Sequence, residues 1–257
     1  MKLRSSYLSQ IFSIVLISSL MSSVSFADVT KEIFEKTIEN IHLLYTNNVD
    51  SGINLEISGS WNDDQSNAYA AKADSQYRVY VSGGLARNTN ITQDALALII
   101  CHELGHLFGG APYPNTLKIA TSVEGQSDYY ATKNCLADVF KVLPPNENAI
   151  DQITPNMKNL CLDYMGESHT CLRALVSMQN SANYMSRNLP LPKPSLDISD
   201  PFEAERTLLD YPNTVQCRLD TLKAGLFNKP RPRCWFNEEN TWIFNHDVFP
   251  PRLEKVD

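Results

Sequence analysis

The sequence predicts an α+β fold, a small sheet ahead of a mostly helical remainder. Two observations carry this. Apolar and polar residues alternate over short segments between residues 53 and 82, as in half-buried strands; outside that stretch apolar residues recur at three- and four-residue intervals over long segments. With 257 residues, 43% hydrophobic and 20% charged, the chain is long enough for one large domain or two small ones with a real core.

Taken in order, residues 1–27 read as a signal peptide. Lys2 and Arg4 precede an apolar run over 11–20, and Ser25 and Ala27 offer small residues at a cleavage site before Asp28. That run is shorter than the ~20 residues a membrane span needs, and no later segment is apolar for long enough to cross a bilayer. The mature protein is therefore expected to be soluble, without stable membrane insertion. Residues 28–47 carry Ile33, Phe34, Ile38, Ile41, Leu44 and Tyr45 on one helical face, with His42 as a flank residue. Segments 53–59, 67–73 and 77–82 have strand composition, with turn residues at Asn62-Asp63-Asp64 and Asp74-Ser75 between them. An antiparallel meander is the simplest arrangement, within a sheet that is antiparallel or mixed.

A long helix is expected from Asn90 or Thr92, either of which can cap, to Gly109-Gly110. Pro112 and Pro114 impose a loop, and a second helix runs over 123–143 until Pro144-Pro145. Further helices are expected over 150–162 and 170–187. Pro190, Pro192 and Pro194 mark a stiff linker, followed by a helix over 214–226 and an aromatic, proline-marked tail. The expected organisation is a core over 28–189 and a C-terminal extension, 190–257, packing on it.

A formal net charge of −7, more acidic still once Lys2 and Arg4 are cleaved away, argues against nucleic acid or an anionic membrane as partner, since both require a basic face. All six cysteines lie beyond residue 27, and an even number in an exported chain suggests up to three disulfides. The pairing cannot be deduced from spacing. Cys161 with Cys171 and Cys217 with Cys234 are neighbours in sequence, which would leave Cys101 and Cys135 to join two helices.

The chemistry is concentrated in ALALIICHELGHLFGG, residues 95–110. His102 and His106 lie one helical turn apart, so both imidazoles can point at one metal ion, with Glu103 beside them. Two imidazoles and a carboxylate in an apolar helix are costly to bury without a purpose. A catalytic zinc takes three protein ligands and keeps a position open. Glu124 is the leading third ligand, because Asp128 follows it at i+4 and could accept the second N–H of a zinc-bound histidine. His169 and His246 are rivals for the position, and a first-turn acid pair that merely complements a helix dipole is the plain alternative.

H-E-L-G-H followed by E-x-x-x-D resembles the gluzincin metallopeptidases. "NAYA" at 67–70, "VYVSGGLA" at 79–86 and "LALIICHELGH" up to His106 resemble the peptidase core of the CAAX prenyl endopeptidase and heat-shock membrane protease family, over about residues 28–143. The resemblance implies a zincin-like (minigluzincin) core binding one zinc ion through His102, His106 and Glu124. It implies Glu103 as general base and Asp128 as the acid behind the ligands. It also implies that an extended peptide lies along a strand edge before the zinc helix. Where that family has His-Pro and then Arg, this chain has Tyr211-Pro212 and Arg218. These two are candidate oxyanion-stabilising residues, or else an ordinary loop and a salt-bridged arginine.

The expected function is thus an exported zinc metalloendopeptidase acting on peptides or unfolded proteins, in a bacterial periplasm or outside the cell. Two other readings are a zinc-containing scaffold with little turnover, and a self-inhibited peptidase with segment 235–251 over its cleft.

Overall fold

The computed structural model describes residues 29–114, 121–145, 147–190 and 192–240. The leader and its cleavage site, His246, and everything beyond Asn240 lie outside the described residues. Helix α1, Lys31–Thr46, begins at Thr30, whose hydroxyl accepts from the Ile33 amide, and buries Phe34, Ile38, Ile41 and Tyr45. Strands β1 (Asn54–Ser60), β2 (Ala68–Ala73) and β3 (Gln76–Ser82) form one sheet.

That sheet is not a meander. Its order is β1-β3-β2, with β3 antiparallel to β2 but parallel to β1. The Asp74-Ser75 turn is tight enough to set Ala73 opposite Gln76, so β3 must return directly beside β2. The longer 61–67 connection carries the chain across to the far side first. It is anchored there by Trp61, which packs on Phe34 and lies under the Arg87 guanidinium. Another departure is His42, which is not a mere flank residue: its Nδ1 accepts from the Ile57 amide at the outer edge of β1.

After the single turn α2, Gly83–Ala86, the chain enters α3, Gln93–Phe108, capped by Thr92. Every residue of α3 except Ile99 and His106 is buried. A helix apolar all round has to be central, and α3 packs against the sheet, α1 and the later helices. The expected second helix is interrupted: α4 (Glu124–Tyr130) passes through a wide π turn, Ala131–Cys135, into α5 (Leu136–Val142). The π turn ends at Cys135, which is bonded to Cys101 of α3. Then follow α6 (Pro155–Met165), α7 (His169–Met185) and α8 (Val215–Leu226), capped by Thr154, Ser168 and Thr214. Disulfides Cys161–Cys171 and Cys217–Cys234 tie α6 to α7 and α8 to the C-terminal segment. Helix α8 packs on α4 and α7, so the chain beyond the proline-marked linker folds back onto the core. Among the described residues no helix is long and apolar enough to cross a membrane.

One buried ion pair orients α3. Asp94, in its first turn, accepts two hydrogen bonds from Arg173 of α7, 2.7 and 3.0 Å long, and Arg173 also donates to the Pro144 carbonyl at the end of α5. Both side chains are almost wholly buried. Removing one partner strands the other charge in the interior. Arg173→Leu is therefore expected to lower stability by about 3–5 kcal/mol, seen as an earlier urea midpoint with an unchanged slope.

Candidate active site

The helices α3 and α4 cross where neither has a side chain between them. A Cβ at Gly105 would stand 2.7 Å from the Cα and carbonyl oxygen of Ser127, so the two backbones are in direct contact. This close approach lets the short side chains at Glu124 and Asp128 reach imidazoles on the facing helix.

His102 Nδ1 lies 2.8 Å from Asp128 Oδ1, and its Nε2 lies 3.2 Å from Glu124 Oε2. His106 Nδ1 donates to the Ser122 carbonyl at 2.7 Å, and its Nε2 is 3.5 Å from Glu124 Oε1. Each ring thus has one nitrogen engaged by an oxygen outside the cluster, and its other nitrogen facing the Glu124 carboxylate. Ligand atoms of His102, His106 and Glu124 all fall within 4.8 Å of one another. Two imidazole nitrogens and one carboxylate oxygen, with the rings oriented from behind, are a donor set that zinc accepts. The residues present therefore fit the ion implied by the H-E-x-x-H pattern. Three ligands rather than four leave room for a reacting molecule.

The Ser122 carbonyl was not identifiable from the sequence. It arrives because the chain returning into α4 is bonded back along the end of α3: the Ser122 amide donates to His106 O at 2.9 Å and its hydroxyl to Gly110 O at 2.7 Å. A serine just before a helix carries no signal of such a role. His169, a rival for the third ligand position, is exposed in the first turn of α7 and does not join the cluster.

Arg218 extends from α8 into the same place. It makes a two-pronged pair with Asp128, Nε to Oδ2 at 2.7 Å and Nη2 to Oδ1 at 2.8 Å, and Nη2 lies 3.4 Å from Glu124 and 3.3 Å from the His102 ring. The residue is both at the site and salt-bridged, so the two sequence alternatives do not exclude each other. Tyr211 instead stands at the rim of the cleft, 69% exposed.

The charges shift one another strongly. Burial opposes ionisation of Glu124 and Asp128, but His102 beside the first and Arg218 beside the second outweigh it and hold both down at about 2. For His102, burial disfavours the imidazolium, yet Asp128 and Glu124 raise it to about 10. His106 goes the other way, lowered by burial and by His102. Burial pushes the Glu103 carboxyl up to about 7. Glu103 is not paired with Arg218 or drawn into the three-ligand cluster.

The site forms the floor of an open cleft of about 650 Å³. One wall is the start of β2, whose residues 68–70 line it together with Ser66 and Asn67 just before the strand. Because β3 is paired on both sides, the strand edge beside the site is β2 and not the strand immediately preceding α3. Leu98, Ile99 and Met185 give the cleft an apolar end. None of residues 235–240 lines it, so that part of the suggested inhibitory segment lies elsewhere; the remainder is outside the described residues.

Comparison with known proteins adds one match. Residues 30–143 match the sequence model of peptidase family M48. No curated protein and no solved structure matches the chain.

The backbone contact at Gly105 yields a direct prediction. Gly105→Ala should force α3 and α4 apart and lower stability by about 1–3 kcal/mol, the usual effect of overpacking a tight interface, read as a lower thermal midpoint of the metal-free protein.

Proposed function

Residues 30–143 belong to peptidase family M48, a zinc metallopeptidase family, and on that premise we propose that this protein is an exported zinc-dependent endopeptidase acting on peptides and unfolded proteins. The observation that carries the reading is the convergence of His102 Nε2, His106 Nε2 and the Glu124 carboxylate within 4.8 Å, with the Glu103 carboxyl at the same cleft.

Zinc held by His102, His106 and Glu124 supplies a Lewis acid that polarises a peptide carbonyl and makes a water more acidic. The protein does the rest. Asp128 accepts the His102 Nδ1–H and the Ser122 carbonyl accepts the His106 Nδ1–H, which turns each Nε2 toward the ion; His102, held as an imidazolium in the metal-free protein, would give up its Nε2 proton on binding it. Glu103 takes a proton from the attacking water as the carbon–oxygen bond forms, and passes it to the amide nitrogen as the carbon–nitrogen bond breaks. Its burial favours that exchange, because a base raised toward 7 both accepts and returns a proton near neutral pH; a cation beside it acts in the opposite direction. Arg218 neutralises Asp128 and stands close enough to the ligands to face a developing oxyanion. Tyr211, from the rim, is proposed to donate to substrate once it is bound.

Substrate orientation follows from the sheet. Among the described residues β2 pairs only with β3, so its outer edge offers backbone donors and acceptors along the cleft. An extended peptide adding there as a further strand would present its backbone to the site while its side chains alternate between cleft and solvent. This favours segments without stable structure of their own. Three disulfides and a sequence that opens like a signal peptide support function in an oxidising compartment, the periplasm or the exterior of a bacterium.

A paired measurement tests the assignment. Glu103→Gln is expected to retain one zinc per chain and lose casein hydrolysis by about 10²–10⁴-fold, the usual contribution of a positioned general base. His102→Ala should lose both metal and activity. Chelation should abolish wild-type hydrolysis and zinc should restore it. Normal cleavage by the Glu103→Gln variant would remove Glu103 from its role, and zinc binding without any hydrolysis by wild type would favour the scaffold reading.

A further inference from the structure

Apart from the main core, the chain builds a second, smaller apolar cluster of Val123, Cys217, Cys234 and Trp235, with Leu208, Leu209 and Phe236 against it. Two members precede site residues directly in sequence: Val123 before Glu124 and Cys217 before Arg218. Trp235 is fully buried and among the largest side chains that are. Its indole lies flat against Gly125, the residue after Glu124, where an added Cβ would meet the ring atoms at 2.4, 2.6 and 2.7 Å.

The connections continue outward from Trp235. Cys234 is bonded to Cys217, so the residue before Trp235 is covalently joined to the residue before Arg218. The Trp235 carbonyl accepts from the Leu208 amide at 2.8 Å, the Arg233 carbonyl accepts from the Ala204 amide at 2.8 Å, and Asn237 Nδ2 donates to the Ala204 carbonyl at 3.0 Å. These bonds hold the strand of chain that leads into Leu209 and Tyr211 at the rim of the cleft. The indole N–H has no partner among the described residues. Among the described residues, then, Trp235 acts through the shape of its ring against Gly125.

We infer that Trp235 is a positioning residue for Glu124. It presses on Gly125 and sets the first turn of α4, so that the Glu124 carboxylate meets the His102 and His106 Nε2 atoms. The Cys217–Cys234 disulfide keeps Trp235 and Arg218 in register, so the two sides of the site contributed after α3 are adjusted as one unit. The inference rests on reading His102, His106 and Glu124 as zinc ligands. It explains why α4 starts at the ligand itself without a capping side chain from Val123: the wedge behind Gly125 orients the turn in place of a cap.

Zinc affinity of the full chain, measured by competition with a chromophoric chelator well below the melting temperature, tests it. Trp235→Leu should weaken zinc binding by about 10–100-fold, the range found when groups behind a metal ligand are removed. Trp235→Phe, which keeps a flat ring against Gly125 and removes an N–H that has no partner among the described residues, should bind close to wild type. In a Glu124→Gln background the Trp235→Leu change should cost much less, because the residue through which it acts is already altered. A purely structural tryptophan would lower the melting temperature of the metal-free variants while leaving affinity and the coupling to Glu124 at zero change, and that result overturns the inference. If Trp235→Leu does not fold, Gly125→Ala, which displaces the same ring from the other side, is held to the same affinity and coupling criteria. Failure of wild type to bind zinc would instead overturn the ligand assignment on which the inference rests.

Discussion

Two imidazoles, three carboxyl groups and a guanidinium share one seam between helices, and the cost of burying them is the constraint on which the rest of this structure depends. Glu103 and Asp128 are 7% and 2% exposed; none of these groups could sit there singly without a large desolvation penalty. For all but Glu103, whose carboxyl is instead pushed up by burial, the solution is mutual. Asp128 is satisfied by Arg218 and His102, Glu124 by His102, His106 and Arg218, and His106 by a backbone carbonyl. Remove α8 from this arrangement and Asp128 loses its main counter-charge. The C-terminal part of the chain is in that sense a component of the site, although it lies past the matched family segment.

The same constraint accounts for the small residues in the seam. The carboxylate side chains on α4 are short, so the backbone of α4 has to come to α3, and only Gly105 permits that contact with Ser127. Around it the apolar face of α3 is held on every side, by the sheet, by α1 and by α7 through the Asp94–Arg173 pair. Rigid surroundings matter because the ligand nitrogens of His102 and His106 are displaced from a common point by any rotation of α3. The Cys101–Cys135 disulfide, one residue before His102, opposes such rotation by tying α3 to the π turn.

The cleft is open and bounded by a strand edge that has no partner among the described residues on one side and a charged floor on the other, the features on which the proposed extended substrate rests. The acidic balance of the protein adds little to this, since the cleft is also lined by residues of β2 and by the apolar side chains of Leu98, Ile99 and Met185. Recognition through backbone is permissive as to sequence, which is consistent with the substrate class proposed above.

By itself the sequence located most of the elements and singled out the helix that carries His102, Glu103 and His106. Periodicity located α1 because it buries one face at helical spacing, and capping signals at Asn90 or Thr92 and at Gly109-Gly110 bounded α3 because caps act on their nearest neighbours. His102, Glu103 and His106 were legible for the same reason: i and i+4 on one helix is a local relation. Glu124 and Asp128 could be read through their own spacing, though only with the histidines as context. What the tertiary structure alone decided depends on pairs remote in sequence. The parallel placement of β1 beside β3, the His42 bond to β1, the Ser122 carbonyl behind His106, the approach of Arg218 to Asp128 and the seat of Trp235 on Gly125 each join segments across 15 to 110 residues. No local pattern encodes such contacts, because they follow from how the apolar faces of whole elements close around α3.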